Sequence, residues 1–190
     1  LLGRNSAHWI LADLAIWLSG HVTVPLYPTL NGETAEYILE HSECRLLIIG
    51  KMDGKADGWR DIAPVIPADM PLIGLPMCPR KDIMQWDDIV ARVEPRNDLP
   101  LPNPDSLATI VYTSGSTGQP KGVMHSFGTM VSVAGSLRDT YHVTNEERML
   151  SYLPLAHVAE RAVLETSSLY FGFSVFFSEG LETFQKDLQR

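Results

Sequence analysis

Cysteine is scarce in this sequence. Its 190 residues contain two, Cys44 and Cys78, far apart and outside any Cys-x-x-Cys or Cys/His spacing. This argues against a zinc site, which draws its ligands in such pairs, and fits reduced thiols in a cytoplasmic protein. Long apolar runs are missing too. The longest, Trp9 to Leu18, is broken by Asp13 and falls well short of the roughly 20 residues that cross a membrane. No signal peptide is visible, and peripheral membrane contact stays open. Positive charge is in deficit: Lys and Arg number 15 against 23 Asp and Glu, a formal net charge of −8. No basic stripe exists to neutralise a nucleic-acid backbone, which excludes that class of partner.

What is present is ordinary for a globular protein, with 45% apolar and 20% charged residues and enough length for one well-filled core. The chain starts on Leu1 and stops at Arg190 inside a helical pattern. Both ends read as cut, so a piece of a longer protein is expected.

One stretch organises the rest. The apolar strand Leu107–Tyr112 runs into Thr113, Ser114, Gly115, Ser116, Thr117 and Gly118, and Lys121 and Gly122 follow. Small residues let backbone N–H groups approach an anion closely. The four hydroxyls can each turn a donor toward a phosphate oxygen, and Lys121 adds a mobile positive charge. In an acidic protein such an anion must be held locally, against the overall field. The stretch reads as a loop for nucleotide phosphates. It is not the Walker loop, because Pro120, Lys121 and Gly122 follow the four residues after Gly115 where Gly-Lys-Ser/Thr is needed. The plain alternative is a flexible Gly/Ser turn, but linkers seldom follow a buried strand so abruptly.

Tyr112 to Val123 resembles the phosphate loop of the AMP-forming acyl-adenylate enzymes, which include acyl-CoA synthetases, luciferases and peptide-synthetase adenylation domains. Tyr152-Leu153-Pro154-Leu155-Ala156-His157-Val158-Ala159-Glu160-Arg161 is similar to a segment of the long-chain fatty acid–CoA ligases. So is Asn5 to Leu30, with Trp9, Asp13-Leu14-Ala15, Gly20 and Val24-Pro25-Leu26-Tyr27. The likeness covers nearly the whole chain and is weakest from Lys51 to Pro104.

Local signals suggest an α/β fold, a largely parallel sheet flanked by helices; by resemblance it is part of the N-terminal domain of the acyl-adenylate-forming fold. Asn5 and Ser6 are N-cap residues for a helix carrying Trp9, Ile10, Leu14, Trp17 and Leu18, ended by Gly20. A short strand is expected at Val22–Leu26, a helix from Asn31 to His41, and a doubly buried strand at Leu46–Ile49. Short strands are expected at Val65–Ile66 and Leu72–Gly74, and a helix near Trp86 within Ile83–Val93. Pro100, Pro102 and Pro104 mark an extended connector. It divides the chain into residues 1–104, an N-terminal α/β portion, and 105–190, a portion built on the phosphate loop. There the pattern gives a helix from His125 to about Tyr141, a strand at Met149–Leu153, a helix at Ala162–Phe171, a strand at Ser174–Phe177 and a helix from Phe184. Both motif loops fall at carboxyl ends of strands, where such sheets bind ligands.

The resemblance implies that a fatty acid, ATP and coenzyme A react by way of an acyl-AMP. Thr113, Ser114, Gly115, Ser116, Thr117, Gly118, Lys121 and Gly122 would hold the triphosphate, and Thr113 would help to position Mg²⁺. His157 would donate a hydrogen bond near the reacting carboxylate and the α-phosphate. On the sequence alone, His157 reads first as a buried, satisfied histidine; the resemblance reverses that order. Glu160 and Arg161 read as a solvated pair or a brace for the loop. Trp9, Trp17 and Tyr27 read as core. The family's magnesium-binding Glu, ribose-binding Asp and C-terminal lysine would all lie beyond Arg190, so the isolated piece is expected to be inactive and to self-associate through uncovered apolar surface. Two alternatives stand beside this reading: an adenylating enzyme that loads a carrier protein, and a non-catalytic nucleotide-binding module.

Overall fold

Capping by side chains sets the first helices of the computed structural model, which describes residues 1–52, 58–114, 118–180 and 183–189. In helix α1 (Ala7–Leu18), Ser6 Oγ accepts the Trp9 N–H at 3.1 Å. In α2 (Gly32–His41), Asn31 Oδ1 accepts the Thr34 N–H at 2.8 Å. Each cap satisfies a donor that the first turn would otherwise leave open. Gly20 takes φ +78° just beyond α1, a conformation glycine adopts without strain.

Strand β1 (Leu47–Ile49) is buried on both faces. Leu47 and Ile49 enter a core with Leu26, Ile38 and Leu39, whereas Ile48 packs with Trp9, Ala12, Leu75 and Leu155. β1 pairs in parallel with β2 (Leu72–Gly74), and β2 in parallel with β3 (Met84–Gln85). Leu2 bridges in parallel to Ile49 on one side and Leu26 on the other. The segment expected as a strand at Val22–Leu26 makes isolated bridges at Thr23 and Leu26 rather than a ladder; Pro25 has no N–H to give one. Thr23 in turn bridges to Thr109 of β4 (Leu107–Thr113). β6 (Arg148–Ser151) and β7 (Ser174–Phe177) form a parallel pair. The α/β class with parallel strands is thus borne out.

Four local expectations need correction. Ala63–Val65 is a 3₁₀ turn that follows a short helix, α3 (Trp59–Ile62), and such a turn tolerates Pro64 where a ladder would not. Near Trp86, β3 precedes a helix α4 of only Trp86–Val90. Lys121–Ser126 forms a strand, β5, antiparallel to β4. Helix α5 therefore starts at Phe127 rather than His125, runs to Tyr141 and is capped by Ser126. The helical stretch at 162–171 is a π-helical turn (Arg161–Thr166) followed by a short α-helix (Ser167–Phe171). Among the described residues no helix is long and apolar enough to cross a membrane.

A buried ionic cluster joins these layers. Arg161, Asp13 and Glu165 are fully buried. The Arg161 guanidinium donates to Asp13 Oδ2, to Thr109 Oγ1 and, at 3.3 Å, to Glu165 Oε2. Its carbon lies 5.6 Å from the ring centre of Trp9 and 5.3 Å from that of Trp17. Thr23 donates to the other oxygen of Asp13, and Trp17 Nε1 donates to the Ala108 carbonyl at 2.9 Å. Arg161 and Glu160 are therefore no solvated pair. Trp9 and Trp17 are core, as their helical spacing suggested.

Removing one member of such a cluster leaves a charge buried and unpaired. Arg161→Ala should lose about 3–5 kcal/mol of unfolding free energy in urea titrations. Glu165 has a pKa well above the ordinary carboxyl value of 4.5, because of burial first and the nearby Asp13 second. A raised folded-state pKa means that the folded form holds the proton more tightly. Its contribution to stability is complete below pH 4.5 and declines as pH rises toward the folded value. Glu165→Gln should therefore gain stability relative to wild type as pH increases from 4.5 to 8, read from melting temperatures of the two proteins side by side.

Candidate active site

β4 is buried through Val111 and Tyr112 and emerges at Thr113, whose side chain is exposed. Ser114 and Gly118 are also exposed, and Gly118 takes φ +89° in open space. Gly115, Ser116 and Thr117 lie outside the described residues. The chain returns as β5, with Lys121 directly opposite Thr113 in the antiparallel register. Side chains so paired share one face, with Cβ atoms about 5 Å apart. An exposed hydroxyl and an exposed ammonium thus leave the hairpin together.

The root of the hairpin is rigid. Tyr112 is buried, and its hydroxyl shares a hydrogen bond of 2.7 Å with His41 Nδ1. His41 stacks on Tyr37, with ring centres 5.2 Å apart. Burial pushes the Tyr112 phenol above its usual pKa, which keeps it neutral. Gly122 faces Tyr112 across the ladder. A Cβ there would lie 2.7 Å from Ile110 Cγ2 and 3.3 Å from the Tyr112 ring. Gly122 was expected among phosphate-binding residues; its described neighbours give it a packing role. Between α2 and the loop is a cavity of about 570 Å³, lined by Tyr27, Glu33, Tyr37, Thr113, Ser114 and Gly118 among others.

The second motif follows β6. Leu155 and Ala156 are buried, and His157 is exposed, against the reading of a buried histidine. His157 is the N-cap of a short helix, α6 (Val158–Glu160). Its Nδ1 accepts the Ala159 N–H at 3.1 Å, so the proton of the neutral ring sits on Nε2. Glu160 turns back beneath the loop. Its Oε1 accepts from Ser151 Oγ at 2.8 Å and from the Tyr152 N–H at 3.1 Å. Burial raises the Glu160 pKa, opposed by these two bonds and by His157.

Thr113, Ser114, Gly118 and Lys121 are therefore gathered on one hairpin. His157 stands at the end of a different strand pair and lines neither the cavity beside the hairpin nor that beneath Leu153. Among the described residues no group of three His, Cys, Asp or Glu side chains is placed to hold a metal ion. Sequence reasoning missed Asn5, which it took as a cap. Its Nδ2 donates to Ser151 Oγ at 2.8 Å and to the Leu153 carbonyl at 2.6 Å, and its Oδ1 accepts the Leu155 N–H at 2.8 Å. Two cap-type residues in succession were the available signal, since one helix start takes only one of them.

Compared with known proteins, the whole chain, residues 1–190, matches the family described as AMP-binding enzyme. The chain belongs to that family. Fatty acyl-CoA synthetase A of Dictyostelium discoideum is 34% identical over 197 residues, which cover 97% of this chain and 29% of that protein. Long chain acyl-CoA synthetase 4 of Arabidopsis thaliana is 32% identical, over 95% of this chain and 29% of its own length. This chain thus spans less than a third of these relatives. ATP-bound MatB from Rhodopseudomonas palustris superposes with a TM-score of 0.76 at 24% identity, over 97% of this chain and 35% of that one. The luciferase-like enzyme of the mealworm Zophobas morio does so at 0.77 and 15%, over 98% and 43%. These two likenesses show the fold. The resemblance to the AMP-forming family is borne out for the chain as a whole.

Packing around Gly122 can be tested apart from any ligand. Gly122→Ala should cost about 1–3 kcal/mol by overpacking against Ile110 and Tyr112. Gly135→Ala in α5, where nothing lies within 4 Å of the added carbon, should instead stabilise by up to about 1 kcal/mol. Equal effects in chemical denaturation would refute the tight packing at Gly122.

Proposed function

We propose that this chain supplies the triphosphate-binding part of an AMP-forming long-chain fatty acid–CoA ligase. The observation that carries the reading is Thr113 and Lys121 standing opposite one another where the hydroxyl-rich loop joins its hairpin, in a chain matched along its whole length by the AMP-binding family. The long-chain synthetases among its relatives support the acyl substrate class.

In the proposed reaction a fatty-acid carboxylate oxygen bonds to the α-phosphorus of ATP. The bond to the bridging oxygen breaks, and pyrophosphate leaves. The thiol of coenzyme A then attacks the acyl carbon and AMP departs. Neither half needs a protein nucleophile; both need orientation and charge neutralisation. Lys121 would neutralise charge on the β- and γ-phosphates, aided by the hydroxyls of Thr113, Ser114, Ser116 and Thr117 and by the backbone at Gly115 and Gly118. His157 would donate from Nε2 to an oxygen of the carboxylate or α-phosphate. Mg²⁺ would shield the triphosphate charge, with Thr113 offering one hard oxygen ligand; among the described residues no group of three His, Cys, Asp or Glu side chains adds a metal site. On this reading residues 105–190 carry the phosphate loop and 1–104 support it.

Lys121 is exposed and starts a strand, so its replacement should spare the fold. In a polypeptide extended to the length of its relatives, Lys121→Ala should cost about 2–3 kcal/mol of transition-state stabilisation in fatty-acid-dependent ATP–pyrophosphate exchange. Unchanged exchange kinetics at an unchanged melting temperature would remove the loop from the reaction.

A further inference from the structure

The segment that presents His157 is not held by its own strand. β6 ends at Ser151, and His157 comes six positions later. Between them Pro154 offers no N–H, and the Leu153 carbonyl and Leu155 N–H have no place in a ladder. Both backbone groups are taken by one side chain from the far end of the sequence, Asn5. Its second amide hydrogen goes to Ser151 Oγ, whose own hydroxyl donates to Glu160 Oε1, which also accepts the Tyr152 N–H. The chain of bonds from Asn5 through Ser151 to Glu160 thus spans the segment. It ends on the residue that completes α6, the helix His157 caps.

We infer that Asn5 is a positioning residue for His157: the side-chain amide fixes the Ser151–Leu155 backbone and, through it, the direction in which His157 Nε2 donates. The inference rests on the proposed role of His157 and adds a residue to it. An amide is the chemistry the position needs. It must donate to two oxygens and accept from one N–H, which a carboxylate, a hydroxyl or an ammonium cannot do together. Asn5 is free for this because Ser6 caps α1. It is also well anchored, since α1 begins at the next residue but one and is tied through Asp13 to Arg161. The side chain borders a cavity of about 430 Å³ with Arg4, Lys51, Ser151, Leu153 and Pro154.

Two measurements test this. The first is hydrogen exchange on the 190-residue chain. Asn5→Ala should speed exchange at the Leu155 amide by about tenfold or more, the loss of one part-buried hydrogen bond, and leave Ile48 and Ile49 in β1 unchanged. Unaltered protection at Leu155 would overturn the clamp. The second is fatty-acid-dependent ATP–pyrophosphate exchange in a polypeptide extended to the length of its relatives. Asn5→Ala should lower kcat about tenfold, with KM for ATP within about twofold. In a His157→Ala background it should lower kcat no further, because the two act through one contact. An equal loss in both backgrounds would overturn the link to His157. If Asn5→Ala does not fold, Asn5→Asp replaces it with a different readout. It keeps the acceptor for Leu155 and loses both donated bonds, so kcat should fall while Leu155 stays protected, and an unchanged kcat would overturn the inference. Wild-type protein with no exchange activity would sink the proposed function itself; an active wild type indifferent to Asn5 would sink this inference alone.

Discussion

The guanidinium of Arg161 is the point through which the parts of this fold are held in register. It is buried, stacked near two tryptophans, and bonded to Asp13 of α1, Thr109 of β4 and Glu165 one turn along its own helix. A planar fork meets these three partners along fixed donor directions, which the freely rotating ammonium of a lysine does not specify. Burying ions seldom adds net stability over a well-packed apolar core, and the better-attested return is a specified arrangement. The arrangement specified here bears on both motif segments. Thr109 lies four residues before Thr113, on the strand that carries the loop. Arg161 lies four residues after His157. One side chain therefore relates the two motif segments, although they leave different strand pairs. Arg161 and Glu165 both lie in the π-helical turn Arg161–Thr166, a winding that is rare within helices.

The antiparallel hairpin solves a second problem. A loop of hydroxyl and glycine residues has little of its own to keep it in place, and the conformational entropy of fixing it is high. Setting it between two paired strands fixes both ends. Tyr112 and Gly122, one pair behind Thr113 and Lys121, close the base, and the bond from Tyr112 to His41 ties it to α2. The net charge of −8 bears on the proposed site. With the wider field repelling anions, a triphosphate bound as proposed would depend for its retention on Lys121 and the local donors.

How far all this was legible follows the range of the interactions. Ser6, Asn31 and the run Leu46–Ile49 announce their roles because a cap or a doubly buried strand is decided within a few residues. β5 is not legible, for Lys121–Ser126 has neither an apolar alternation nor a buried face; its strand state comes from pairing with β4. The hydroxyl-rich loop stands out in the sequence because the chemistry proposed for it is carried by composition alone. Arg161 and Glu160 could not be read this way, because a charged pair looks solvated until folding brings its partners to it, Asp13 from 148 positions away for Arg161 and Ser151 from nine positions away for Glu160. Asn5 failed to show for the same reason, its partners lying 146 to 150 positions away.

His157 shows why a structural and a chemical role should not be set against each other. By capping α6 it accepts a backbone N–H at Nδ1, which stabilises a short helix in the ordinary way of N-caps. The same bond decides the tautomer. A neutral imidazole that accepts at Nδ1 must carry its proton at Nε2, and the ring plane is set by the cap geometry rather than by any ligand. A donor fixed beforehand pays less reorganisation when charge develops in front of it. Alanine at this position would remove the cap and the donor together, so a fall in melting temperature does not by itself argue against catalysis. The informative substitution keeps one role and drops the other. Asparagine can still cap through its side-chain oxygen, but its amide hydrogens would sit nearer the backbone than Nε2 does. A donor role for His157 is thus defined by distance from the helix end as much as by chemistry.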